Sequence, residues 1–143
     1  MGILIAIDYG EKRTGIAATD PMQIIASGLI TLPTSDIIPY LQDYCQSNEV
    51  EKCIIGLPKQ MDNSPSQVEP AIQQFMVKLS KAMPDLELDR YDERFTSKMA
   101  FQTMIDGGLK KGKRKNKGLI DKISATLLLQ SYLNASLHSN NLK

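Results

Sequence analysis

The chain has 143 residues, 42% of them hydrophobic and 23% charged, with a formal net charge of +1. That length suits one domain, residues 1–143, built on one continuous core, and the composition is ordinary for a globular protein. No apolar run reaches membrane-spanning length, and Asp8 interrupts the first one too early for a signal peptide, so a cytoplasmic location away from membranes is expected.

The near-neutral total conceals an uneven distribution. Between Lys110 and Lys117 six residues are Lys or Arg and none is acidic, which leaves the rest of the chain with 11 basic and 16 acidic residues. A block of like charge repels itself, so a loop is expected here, bounded by Gly107-Gly108 and Gly118. An acidic body carrying one basic loop points to directed contact with a polyanion, ahead of a loop that is merely solvated. Cys45 and Cys53 lack C-x-x-C spacing and the chain has one His, so two reduced thiols are expected and zinc finds no support.

Residues 3–9, 14–20 and 24–32 read as three strands joined by short turns, an antiparallel meander. The first is an apolar run that stops on Asp8, followed by Tyr9-Gly10. A buried carboxylate needs a cation or a set of donors, which makes Asp8 a candidate site residue; capping a hairpin turn is the plain alternative. Gly10 lacks a Cβ and so admits close approach of a phosphate or a metal-bound ligand. Residues 35–47 predict a helix capped by Thr34 or Ser35, with Pro39 delaying its start. Residues 51–56 predict a fourth strand. Val68, Ala71, Ile72, Phe75, Met76 and Leu79 then repeat at the spacing of one buried helical face. A fifth strand over 86–91 follows, then a helix over 97–105, the basic loop, and a last helix over 119–133 with Ile120, Ile123, Leu127 and Leu128 facing inward.

The order β-β-β-α-β-α-β-α-α predicts an α/β fold: a five-stranded mixed sheet flanked by helices. Strands 1–3 are antiparallel, and right-handed crossovers make strands 1, 4 and 5 parallel with strand 1 central. The carboxyl ends of strands 1, 4 and 5 share one edge, where open α/β sheets place ligands.

Three acids converge on that edge. Asp92 and Glu93 close strand 5, and neighbouring strand residues face opposite sides, so only one of them joins Asp8 without a bend. Asp121 opens the last helix, where the macrodipole alone favours an acid, but it shares a turn with the small and apolar Ser124, Ala125 and Leu128. Strand 5 lies about 9–10 Å from strand 1, a gap that two Mg²⁺ ions about 3.5–4 Å apart would largely span. The resulting expectation is a catalytic, metal-binding set in which Asp8 bridges two ions, Glu93 holds one and Asp121 helps to hold the other. Lys12, Arg13 and Arg94 are candidates for flanking phosphates, and Lys113, Arg114 and Lys115 for wider contact with nucleic acid; ordinary surface charge is the alternative for each. Aromatic residues are 6% of the chain, without Trp, which argues against an extended base-stacking platform.

Four motifs in order carry a family resemblance. They are Ile7-Asp8-Tyr9-Gly10-Glu11-Lys12-Arg13-Thr14-Gly15 with Asp20-Pro21; Gly56-Leu57-Pro58-Lys59-Gln60-Met61-Asp62-Asn63-Ser64; Asp92-Glu93-Arg94-Phe95-Thr96-Ser97; and the run from Asp121 to Leu133. On these the chain resembles, over nearly its whole length, the YqgF/RuvX family of pre-ribosomal-RNA nucleases and Holliday junction resolvases. The resemblance implies an RNase H-like nuclease domain that hydrolyses phosphodiesters with Mg²⁺ or Mn²⁺. Processing of the 5′ end of precursor 16S rRNA is the favoured reading, and resolution of a DNA four-way junction the alternative. Asn63 stands where the family often has Gly, and Ser124 where it often has Ala. The strand-4 end, Gly56-Leu57-Pro58, lacks the acid that related resolvases carry there, which leaves Glu93 ahead of Asp92 as the second ligand.

Two other functions remain open on the sequence. Asp8-Tyr9-Gly10 with Gly15 also resembles the first phosphate loop of actin-like ATPases, but those close a cleft between two such domains, and this chain has no P-loop. A non-catalytic RNA-binding or ribosome-assembly factor would keep the same fold. Cutting a junction on both sides requires two active sites, and no interface signature selects monomer or homodimer.

Overall fold

β1 (Ile3–Asp8) is buried at every position, as a central strand covered on both faces must be. The computed structural model describes residues 2–58, 66–92 and 117–141, with side chains in the last helix described from Lys122 to Ser136. β1 pairs antiparallel with β2 (Arg13–Thr19), and β2 antiparallel with β3 (Ala26–Pro33). On its other side β1 pairs parallel with β4 (Val50–Leu57), which pairs parallel with β5 (Glu87–Asp92). The order is β3-β2-β1-β4-β5, the mixed sheet that the sequence predicts. Helices α1 (Ile37–Ser47), α2 (Glu69–Ala82) and α3 (Lys117–Asn141) accompany it.

Strand alternation divides the core in two. Ile3, Ile5 and Ile7 meet Ile37 and Leu41 of α1 and Ile72, Phe75 and Leu79 of α2. Leu4 and Ala6 meet Ala125, Leu128, Leu129 and Leu133 of α3. The α3 face carries a row of small residues: Ala6 is in register with Ala17, and Ala17 with Gly28. A Cβ added at Gly28 would lie 2.6 Å from Lys122 Cγ and 3.1 Å from Thr126 Oγ1. The row lets the helix sit directly on the strands.

Several boundaries differ from expectation for identifiable reasons. α3 starts at Lys117 and runs to Asn141, so Lys117 and Gly118 are helical and not the end of a loop. Its buried stripe is Ser124, Ala125, Leu128, Leu129 and Leu133, while Ile123 and Leu127 are only half-buried. The helix has turned its small residues toward the small-residue row. α1 follows a short 3-10 turn over Thr34–Asp36, which leaves Pro39 in the first helical turn, where its missing N–H costs nothing. β3 begins only at Ala26 because Asp20 holds the preceding turn: its carboxylate accepts the N–H groups of Met22, Ile24 and Ile25 at 3.1, 2.8 and 2.8 Å. These bonds hold the Asp20 carboxyl below the usual carboxylate range, the bond from Ile25 most strongly. The helix expected over 97–105 and the basic loop up to residue 116 lie outside the described residues. Among the described residues no helix is long and apolar enough to cross a membrane.

One ion pair fastens α2 to the carboxyl ends of the strands. Arg90 Nη1 and Nη2 donate to the two carboxylate oxygens of Glu69 at 3.0 and 2.9 Å, and Nε and Nη2 also reach the carbonyls of Ile55 and Gly56 at 3.2 and 2.9 Å. The side chains retain 19% and 13% of their exposure, so solvent screens the pair little. The Arg90 guanidinium holds the Glu69 carboxyl below its ordinary value of 4.5. A lowered carboxyl pKa contributes stability above the ordinary value, and that contribution disappears as pH falls through the lowered one. Glu69→Gln should therefore lose about 2 kcal/mol at neutral pH, and the gap from wild type should close as pH drops below 4.5, measured by urea unfolding across that range.

Candidate functional site

The alternation that divides the core also aims the residues at the end of β1. Leu4 and Ala6 belong to the α3 face, so Asp8 does too. It ends the strand with 9% of its surface exposed, in register with Gly15 of β2. Tyr9 goes the other way: it packs with the α1–α2 core, its ring 5.4 Å from that of Phe75.

The turn after Asp8 is held by hydroxyls. Thr14, fully buried, accepts the Gly10 N–H at 3.3 Å, and its Oγ1 lies 2.8 Å from Thr34 Oγ1. Both hydroxyls reach the Gly10 carbonyl, and Thr34 N–H donates to the Lys12 carbonyl at 3.0 Å. A Cβ on Gly10 would stand 2.2 Å from the Arg13 carbonyl oxygen. The space that glycine opens is thus taken by the chain's own backbone, not left for a ligand as the sequence suggests. Lys12 is exposed on this turn, and Arg13, half-buried, begins β2.

β5 sorts its residues in the same manner. Asp89 accepts the Tyr132 hydroxyl of α3 at 2.9 Å, Arg90 turns to α2, and Tyr91 returns to α3, its ring 5.8 Å from that of Tyr132. Asp92 therefore shares the face of Arg90, opposite Asp8. Asp121 is the fifth residue of α3, beyond the first turn, and stands four positions before Ala125. The macrodipole acts within the first turn, so it no longer accounts for an acid at this position. Glu93, Arg94, Lys113, Arg114 and Lys115 lie outside the described residues, as does the side chain of Asp121. Among the described residues no three His, Cys, Asp or Glu side chains cluster as metal ligands. Asp8 is the described member of the expected acidic set, and its hard oxygen donors are of the type that Mg²⁺ and Mn²⁺ take.

The family model described as "RuvX: Holliday junction resolvase" matches residues 2–135. The chain belongs to that family. Among its relatives is a protein of Flavobacterium psychrophilum named "Putative pre-16S rRNA nuclease", 58% identical over 130 residues that cover 91% of this chain and 95% of the relative. A protein of the same name from Flavobacterium johnsoniae is 57% identical over 132 residues, covering 92% and 96%. Among solved structures, T. thermophilus RuvC in complex with a Holliday junction substrate superposes with a TM-score of 0.57 at 13% identity, covering 96% of each chain. That likeness shows an RNase H-like fold.

Some of what holds this candidate site together left little trace in the sequence. Thr14 sits inside a strand-forming run with nothing to set it apart, and Glu69 and Arg90 are 21 residues apart. Burial pushes the Cys53 thiol up strongly and that of Cys45 more mildly, in keeping with inert structural thiols. Gly10→Ala should cost about 1–3 kcal/mol, because the new methyl meets fixed backbone and not a side chain that can swing away. Thermal unfolding checks this, and a variant as stable as wild type would mean that the turn shifts freely.

Proposed function

We propose that the chain is a divalent-metal-dependent nuclease that matures the 5′ end of precursor 16S rRNA, acting on the α3 face at the carboxyl end of β1. The carrying observation is Asp8, a nearly buried carboxylate at the end of the central strand on the face covered by α3. The names of the relatives support the choice of substrate. Asp8, Glu93 and Asp121 would hold Mg²⁺ or Mn²⁺. Asp92 shares the face of Arg90, away from Asp8, which favours Glu93 over Asp92 as the partner acid. The bound metal supplies an activated water and neutralises phosphate charge. In the reaction water adds to phosphorus as the bond to the leaving oxygen breaks, so the protein's own task is to position the strand. Lys12, Arg13 and Arg94 would pair with phosphate oxygens on either side of that bond, and Lys113, Arg114 and Lys115 with more distant ones. None of these roles needs a histidine.

A DNA four-way junction is the second reading, favoured by the description of the family itself. Junction resolution would require a homodimer, whereas trimming an rRNA end requires only a monomer. Either activity belongs in the cytoplasm.

The test sets wild type and Asp8→Asn against a precursor 16S rRNA 5′ segment, unrelated single-stranded RNA and a four-way DNA junction, with Mg²⁺ or Mn²⁺ present. Cleavage of the precursor should fall by roughly a hundredfold or more in Asp8→Asn, with binding unchanged. Neutralising Lys113, Arg114 and Lys115 together should instead weaken binding and reduce its salt slope by about three. Symmetric junction cuts without RNA cleavage would replace the rRNA reading by resolution. Full activity in Asp8→Asn would overturn the catalytic assignment.

A further inference from the structure

The opposite face of the same strand end holds a cavity that none of the roles above uses. About 370 Å³ in volume, it lies between the turn after β1, the 3-10 turn and α2, and is lined by Tyr9, Glu11, Ser35, Gln74, Phe75 and Lys78 among others. That volume falls in the lower part of the range for small-ligand sites, roughly 300–1,000 Å³. We propose that it seats a single unstacked nucleotide of the bound strand, next to the one whose phosphodiester faces Asp8. This inference rests on the nuclease reading and adds to it the way in which the substrate strand is threaded.

Three observations carry it. The first is connectivity. Asp8 and Tyr9 are consecutive, about 3.8 Å apart at Cα, and point to opposite faces of the sheet. A strand crossing the carboxyl edge of β1 with one phosphate on the α3 side brings an adjoining nucleotide over to the Tyr9 side. The second is the aromatic wall. Phe75 is buried, with 6% exposure, and supports the half-buried Tyr9 ring at a centroid distance of 5.4 Å and a tilt of 53°. A ring fixed in this way offers a base a stacking partner at low entropic cost. The third is the set of polar groups. Glu11, Ser35, Gln74 and Lys78 make no side-chain hydrogen bond or ion pair with another described residue. A carboxylate, a hydroxyl and an amide match the donor and acceptor edge of a base, and an ammonium matches its phosphate. The low aromatic content argues against an extended stacking platform, and one tyrosine seats one base.

The experiment uses the full chain carrying Asp8→Asn, so that nothing is cut, and short single-stranded RNAs with 2-aminopurine placed at each position in turn. Fluorescence should be quenched at one position only, and adding Tyr9→Leu, which keeps an apolar side chain over Phe75, should abolish that quenching and weaken binding about tenfold. Lys78→Gln, on an exposed helical surface, should lower the salt slope by about one while leaving the fold intact. RNA that binds with no position-specific quenching, or binds equally well to the Tyr9→Leu protein, overturns the nucleotide seat and leaves the nuclease reading standing. Failure of every RNA to bind overturns both.

Discussion

α3 rests on Ala6, Ala17 and Gly28, register partners on β1, β2 and β3, and that contact fixes where residue 121 stands relative to the end of the central strand. A larger side chain in the row would lift the helix; at Gly28 even a methyl would meet Lys122. With the helix seated, Ala125, Leu128 and Leu129 close over Leu4 and Ala6, and the strand residue that follows Ala6 on this face is Asp8. The core packing and the placing of the catalytic candidates are therefore one arrangement. The apolar part of the stripe supplies the burial energy, and Asp121 stands one turn before it.

The carboxyl edge of the sheet is then stiffened from below. The hydroxyls of Thr14 and Thr34 clasp the Gly10 carbonyl, which fixes the turn through which Asp8 and Tyr9 leave the strand. Arg90 binds the last carbonyls of β4 and the first turn of α2 with one guanidinium. Tyr132 joins α3 to Asp89 of β5. The proposed reaction on a charged backbone gains from such support, since misplacement of about 1 Å can cost a hundredfold in rate. The same edge has two faces, with the acid on one and the aromatic cavity on the other.

Much of this was legible in the sequence. A strand that is apolar at consecutive positions is buried on both faces, so β1 had to be central, and helical crossovers set the parallel half of the sheet. The face of α2 could be read from spacing alone. The rotation of α3 could not, because Ile123, Leu127, Leu128 and Leu129 spread round the helix and its seat on the small-residue row decides which of them are buried. The purpose of Gly10 is not legible in the sequence either, since the Arg13 carbonyl that excludes a Cβ becomes a neighbour only once the turn closes. The choice between Asp92 and Glu93 was open in the sequence, and the register of β5, unbroken to Asp92, assigns Asp92 to the face away from Asp8.

Mn²⁺ titration followed by electron paramagnetic resonance tests that sorting of acids by face most directly. Asp8→Asn, Glu93→Gln and Asp121→Asn should each weaken Mn²⁺ binding by at least about tenfold, while Asp92→Asn binds as wild type does. Loss of binding in Asp92→Asn equal to that in Asp8→Asn, or wild-type binding in Asp8→Asn, would contradict it.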